Sequence, residues 1–338
     1  MCSPQRILHL IAMLDGYGLT RQLELLAREQ IATGQQVRVL ALTATRGAVA
    51  TFEQLGIDCR VLNRRWQRDP FVAVQMVGEL RSQVFDVAHA WDRSTLRYLA
   101  TLEQLPGLAP AATLAQTKVG AAPGVVLPQQ AQLTRQEFLA EQWLPADSIL
   151  IAVAGPLIRE QQVDEAIWYF ELVRTLEERV RLLIFGDGPD LPRLERFARL
   201  TSEPAAIRLL GYRSDFRQLL PYTNLFWHTA AEQKSPARLP LTVLEAMAAG
   251  LPIIAHEGPT LRQIITDGQD GLLVADKDRA AFARQTLRLV EDTQLAQALG
   301  GKAIETITKR FSLPAMMQAT TQLYAKLLLN KTSHAHPT

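Results

Sequence analysis

One acid stands alone in an otherwise apolar run. In Leu241-Thr242-Val243-Leu244-Glu245-Ala246-Met247-Ala248-Ala249-Gly250 the single charged residue is Glu245. Pro240 stands where a first-turn proline starts a helix, and Gly250 where a C′ glycine ends one. A carboxylate there can accept hydrogen bonds from sugar hydroxyls, and amides at the helix start, at Leu241 and Thr242, can face phosphate. The plain alternative is a solvent-facing glutamate on a buried helix. The isolation of Glu245 favours a ligand role. A second motif, Phe185-Gly186-Asp187-Gly188-Pro189, follows a strand pattern and precedes a helix pattern. Its glycines allow a tight turn and close approach of backbone to a ligand. Alone, the motif reads as a strand-to-helix turn closed by Pro189. His89, His228 and His256 each stand near the carboxyl end of a predicted strand. For His89 an acceptor-side role and a satisfied structural role are both open. His228 and His256 lack a third ligand, so no metal site is expected.

These residues need elements to carry them. Apolar runs over 7–12, 37–42, 59–62 and 84–90 predict strands, with weaker candidates at 111–115 and 124–127. Helical spacing of Leu19, Leu23, Leu26, Ala27 and Ile31 ends at Gly34, and further helices are predicted near 48–55 and from 71. Strands are predicted again over 149–154, 180–185, 207–210, 225–228, 253–256 and 272–274. Helices lie between them, over 163–176, 191–200 and 241–249. After Asp276 the pattern is helical to about residue 330. Strands alternating with helices predict parallel sheets covered on both faces. Ligands in such sheets bind outside the carboxyl ends of the strands. The expected layout is a domain over 1–130, a linker over 131–146 and a second domain over 147–310. A C-terminal helix over 311–330 and a flexible tail over 331–338 complete it.

The chain's 338 residues suit two cores. Its 36 basic and 34 acidic residues leave a charge of +2, which gives no basic stripe for a nucleic acid. Two cysteines, Cys2 and Cys59, form no disulfide framework and no zinc set. The apolar run after Arg6 is too short to span a bilayer and lacks a cleavage site. A cytoplasmic location is expected, with at most peripheral membrane contact.

The region 149–311 resembles the C-terminal domain of the family 4 glycosyltransferases, also called group 1, which have the GT-B fold. The residues that carry the likeness are Ala152-Val153-Ala154-Gly155, Phe185-Gly186-Asp187-Gly188-Pro189, Leu210-Gly211-Tyr212, Leu244-Glu245-Ala246-Met247-Ala248-Ala249-Gly250-Leu251-Pro252 and Asp267-Gly268-Gln269-Asp270-Gly271. A weaker likeness runs through Arg6-Ile7-Leu8-His9, Gly18-Leu19-Thr20-Arg21 and Asp86-Val87-Ala88-His89. The resemblance implies two Rossmann-like, doubly wound parallel-sheet domains facing a cleft. It implies transfer of a sugar from a nucleotide-diphosphate donor, with retention and without a metal cofactor. The acceptor would be a carbohydrate, lipid-linked or other small molecule. Gly155, Gly186, Gly188, Leu241 and Thr242 would line the donor site, Glu245 would hold the ribose, and Gly18 would approach the diphosphate.

The departures from the family pattern concern charge. An Arg and a Lys that stabilise the leaving diphosphate in that family fall here on Pro156 and Gln161. Arg159 stands nearby as a substitute on a different backbone path. The first glutamate of the donor-binding pair would fall on Ala237. Glu232 takes its place if the loop carries a five-residue insertion, and that loop also brings Lys234 and Arg238 as phosphate-facing candidates. The first domain is short by about one strand–helix unit. Glu232, Arg159 and His89 are therefore the catalytic candidates. A catalytically inactive relative binding a nucleotide, a carbohydrate or a protein stands as the second reading. A nicotinamide-dependent oxidoreductase is disfavoured. Gly16-Tyr17-Gly18-Leu19-Thr20-Arg21 lacks the third glycine, and no acid ends the next strand.

Overall fold

The computed structural model describes residues 6–15, 18–66, 69–102, 112–115, 124–128, 133–230 and 240–334. The chain divides into two units, one of residues 1–124 with 312–338 and one of residues 125–311.

The first unit runs β1 (Arg6–Leu14), α1 (Gly18–Ala32), β2 (Gln36–Ala44), α2 (Arg46–Gln54), β3 (Asp58–Val61), α3 (Pro70–Ser82), β4 (Val87–Ala90), α4 (Arg93–Leu102) and β5 (Ala112–Ala115). Its sheet is wholly parallel, in the order β3-β2-β1-β4-β5. Apolar side chains alternate along β1. Leu8 and Leu10 join Leu40, Met76, Leu80 and Leu99 in one core, while Ile7 packs with Val87 and Tyr324 on the opposite face. Each such fully buried side chain contributes about 1.5–3 kcal/mol. Helix α4 escapes the sequence pattern. Asp92 caps it by accepting from the backbone N–H groups of Ser94 and Thr95, and Leu99 and Leu102 bury its inner face.

The second unit runs α5 (Arg135–Glu141), β6 (Ile149–Ala154), α6 (Val163–Arg174), β7 (Val180–Phe185), α7 (Leu191–Thr201), β8 (Ile207–Gly211), α8 (Phe216–Leu219), β9 (Leu225–His228), α9 (Leu241–Ala248), β10 (Ile253–His256), β11 (Leu272–Val274), α10 (Arg279–Glu291) and α11 (Thr293–Arg310). Its six strands are all parallel, in the order β11-β10-β9-β6-β7-β8. Ile151, Val153, Leu182, Ile184 and Trp227 from the strands meet Phe170 and Phe282 from the helices in its main core. The sequence pattern carries a short helical segment over 129–144 in the linker region, and a Thr134–Glu137 capping box starts α5 there, within this unit. Residues 124–127 form no strand. Instead the Val125 N–H donates to the Phe311 carbonyl at 2.7 Å.

Helix α12 (Leu313–His334) belongs to the first unit and runs past residue 330, where the sequence pattern ends it. Residues 335–338 lie outside the described residues.

Candidate functional site

Strand order fixes where a ligand crevice opens. In the second unit the chain leaves β6 for β7 and β8 on one side, then returns to β9, β10 and β11 on the other. The order reverses between β6 and β9, and such a switch point opens a crevice at the strands' carboxyl ends. A small solvent-open recess lies there. Ala154 and Gly155 from the end of β6, Phe185 from β7, and His228 and Thr229 from β9 line it, with Leu157 and Gln161 from the following loop.

Backbone hydrogen bonds tie the strand ends into one rim. Gly155 N–H donates to the Phe185 carbonyl at 3.0 Å, Leu157 N–H to Asp187 at 2.9 Å, and Gly186 N–H to Gly211 at 2.8 Å. Gly186 and Gly188 have φ of 144° and 159°. A Cβ at Gly186 would overlap the Gly155 carbonyl oxygen, and one at Gly188 the Leu157 carbonyl oxygen. Backbone-on-backbone packing thus accounts for the glycines of the 185–189 motif without any ligand. The Thr229 hydroxyl donates to the Gln161 carbonyl at 3.2 Å, which joins the end of β9 to the same rim.

The rim is neutral. Pro156 and Gln161 occupy the two positions where the resemblance calls for cations, and no Lys or Arg is among the residues lining the recess. His228 adds no charge at neutral pH. Burial, and then the neighbouring His256, lowers its pKa to about 4. His256 lies buried with its Nε2 at 3.1 Å from the Tyr169 hydroxyl, and burial lowers its pKa too. Arg159 sits in the single helical turn Arg159–Gln161 beside the recess. It is exposed and forms no ion pair among the described residues. No group of three or more His, Cys, Asp or Glu suited to a metal occurs among the described residues.

Glu245 is not the solvent-facing residue of the plain alternative. It is 4% exposed, in an α9 that is buried on nearly every side. Its Oε1 lies 3.7 Å from Nε of Arg217 on α8. Gly250 ends α9 with a φ of 74°, and a Cβ at Gly300 of α11 would overlap the Gly250 carbonyl oxygen. This close packing is why the helix is rich in Ala and carries so little charge. At its start Pro240 provides no side-chain cap, which leaves the Leu241 and Thr242 amides without a capping side chain among the described residues. Glu232, Lys234, Ala237 and Arg238 lie outside the described residues.

In the first unit Gly18 opens α1, and the nearby Thr20 hydroxyl bonds Asp15 at 3.1 Å. His89 is fully buried. Its Nδ1 lies 2.8 Å from the Tyr324 hydroxyl of α12, and its ring stacks on Trp91 at 4.7 Å. Such a setting matches the structural option for this histidine. His9 stands beside it in the β1–β4 register. The Trp91 indole N–H donates to His9 Nδ1 at 3.0 Å, so the proton of the neutral ring sits on Nε2 and faces Gln30 Oε1 at 2.8 Å. Sequence reasoning misses this network because strand register, not spacing along the chain, brings the two histidines together. It also misses Arg217, whose link to Glu245 depends on how α8 packs.

The comparisons with known proteins bear on this geometry. Residues 134–306 match the family model described as glycosyl transferases group 1. A 181-residue stretch is 33% identical to an exopolysaccharide phosphotransferase of Streptomyces coelicolor, covering 53% of this chain and 19% of that protein. Another 181-residue match is 27% identical to the lipopolysaccharide core biosynthesis glycosyltransferase LpsE of Rhizobium meliloti, covering 54% of this chain and 51% of that one. The matches thus span about half the relatives' length, or less. Among solved structures, Anabaena HepE in complex with UDP-glucose superposes with a TM-score of 0.77 at 16% identity, covering 95% of this chain and 99% of that one. WaaG, a glycosyltransferase involved in lipopolysaccharide biosynthesis, gives 0.70 at 15% identity, covering 94% and 99%. At such identities the structures establish a shared fold.

Proposed function

Because the chain belongs to the group 1 glycosyl transferases, we propose that it binds a nucleotide-diphosphate sugar at the carboxyl ends of β6 and β9 and transfers the sugar with retention. The observation that carries this reading is Glu245, a buried carboxylate in the helix whose uncapped start follows the β9 loop. In the proposed complex Glu245 accepts from the ribose hydroxyls. The Leu241 and Thr242 amides and the positive end of the helix dipole face the diphosphate. Gly155 and Gly186 form the rim against which the donor lies. The HepE structure holds UDP-glucose, which makes a UDP-sugar the first donor to try here.

Transfer breaks the bond between the sugar's anomeric carbon and the diphosphate and forms one to an acceptor oxygen. The acceptor's proton leaves with the diphosphate, on which negative charge builds. Stabilising that charge is commonly the largest catalytic term. With the rim neutral, Arg159 is the described residue we assign to this task, joined by Lys234 and Arg238 of the 231–239 segment, while Glu232 serves the sugar. His89 then supports the first unit's sheet and does not touch the acceptor. The acceptor is assigned no narrower class than a carbohydrate, lipid-linked or other small molecule.

A second reading is favoured by the same neutral rim. A protein with Pro156 and Gln161 at these positions would bind donor and turn it over slowly or not at all. Calorimetric titration with UDP and UDP-glucose, followed by a donor-hydrolysis assay, separates the two. Binding with turnover supports transfer. Binding without turnover supports the inactive relative, and absence of binding refutes both forms of the donor-site proposal.

A further inference from the structure

In the first unit, residues 59–85 hold five arginines, at 60, 64, 65, 68 and 81, and two acids, Asp69 and Glu79. Both acids turn inward. Asp69 is 2% exposed and accepts from the backbone N–H groups of Arg65 and Phe71. Glu79 is 5% exposed and pairs with Arg38 and Arg60. Neither carboxylate is therefore offered to solvent. The apolar side chains do the opposite: Trp66, Phe71 and Val74 are 51%, 64% and 68% exposed. Phe71, Val74, Gly78 and Arg81 recur at helical spacing along one exposed face of α3. The Asp69 turn ties Arg65 to Phe71, which folds the Trp66 end of the loop back toward the first turn of that face.

We propose that Arg65, Trp66 and the exposed face of α3 dock on an anionic lipid bilayer. Trp66, Phe71 and Val74 enter the interfacial layer, and Arg65 and Arg81 meet lipid phosphates. An indole is amphipathic and settles at headgroup depth. With both acids of residues 59–85 turned inward, Arg65 and Arg81 act together, and each cation near an anionic leaflet strengthens partitioning roughly fivefold. A bilayer needs no shape match, which suits a face that offers apolar tips and charge without a pocket. No helix among the described residues is long and apolar enough to cross a membrane, so the contact proposed is peripheral. The proposal is independent of the donor-site reading.

The test is flotation of the full chain with vesicles of phosphatidylcholine alone and of phosphatidylcholine with phosphatidylglycerol. The expected result is flotation with the anionic vesicles, weakened by salt, and little with the neutral ones. Arg65→Gln and Arg81→Gln should each lower partitioning roughly fivefold, and Trp66→Ser with Phe71→Ser should abolish it. Trp143→Ser, at an exposed tryptophan of the second unit, should float as the parent does. Circular dichroism and thermal midpoints check that each variant folds. Should the paired serine variant fail to fold, quenching of the parent's tryptophan fluorescence by brominated anionic lipid replaces it, with quenching expected. No flotation, equal flotation with both vesicle types, unaltered flotation of the paired serine variant or absence of quenching would overturn the proposal.

Discussion

The carboxylate of Glu245 lies 3.7 Å from the guanidinium of Arg217, and the glutamate is almost wholly withdrawn from solvent. A buried charge is costly unless paired, and Arg217 is a cation that faces Glu245 in an otherwise apolar helix. In the proposed donor complex that carboxylate is the acceptor for the ribose hydroxyls.

Gly186→Ala should destabilise the second unit by about 2–4 kcal/mol, as overpacking against backbone does. Its Cβ has nowhere to go but the Gly155 carbonyl. Gly268→Ala should cost less, because no atom stands within 4 Å of the Cβ it would gain, although its φ is 73°. Denaturant unfolding of both variants checks the order, and equal losses would show that the rim is not close-packed.

Stability should fall as pH drops from about 6.5 to about 4. His9 is fully buried and His228 nearly so, and their folded-state pKa is about 4, whereas an unfolded histidine titrates near 6.5. Between these values the unfolded chain binds more protons, so stability rises with pH through this window and is fully present above it. Each histidine accounts for at most roughly 3 kcal/mol. Denaturant titrations at several pH values measure the slope, and His9→Asn should flatten part of it.

Tyr324→Phe should loosen α12 from the first unit. The hydroxyl meets His89 Nδ1 at 2.8 Å, in a site that burial makes strongly unfavourable for tyrosinate. Removing it leaves the buried His89 nitrogen unmatched at a cost of about 1–3 kcal/mol. Hydrogen exchange should quicken in α12 and leave the second unit unchanged.

Much of the architecture is legible in the sequence because buried parallel strands write themselves as uninterrupted apolar runs. Strands β6, β7, β9, β10 and β11 begin and end where their runs do. Helix α4 leaves a weaker trace, since it follows β4 after only two residues and its polar face dominates the composition. The site is less legible. Glu245 stands out by isolation, but a lone acid on an apolar helix reads the same whether it faces solvent or Arg217. Gly186 and Gly188 look like ligand-approach glycines, and only three-dimensional packing shows carbonyls filling that space. Strand order, which puts the crevice between β6 and β9, leaves no local trace at all.

Arg159→Ala should lower turnover about 100–1000-fold if Arg159 stabilises the leaving diphosphate. Donor affinity should fall much less, because the charge develops mainly in the transition state. Single-turnover kinetics with radiolabelled donor measure the step. A rate unchanged by the substitution would move that role to the 231–239 segment.

The donor site itself is tested most directly by calorimetric titration of UDP-glucose into the parent and into Glu245→Gln. The substitution keeps the side chain's shape and removes its charge. The parent should bind, and the variant, while folded by circular dichroism, should bind at least tenfold more weakly. Equal affinity in a folded variant would contradict the assignment of Glu245 to the donor.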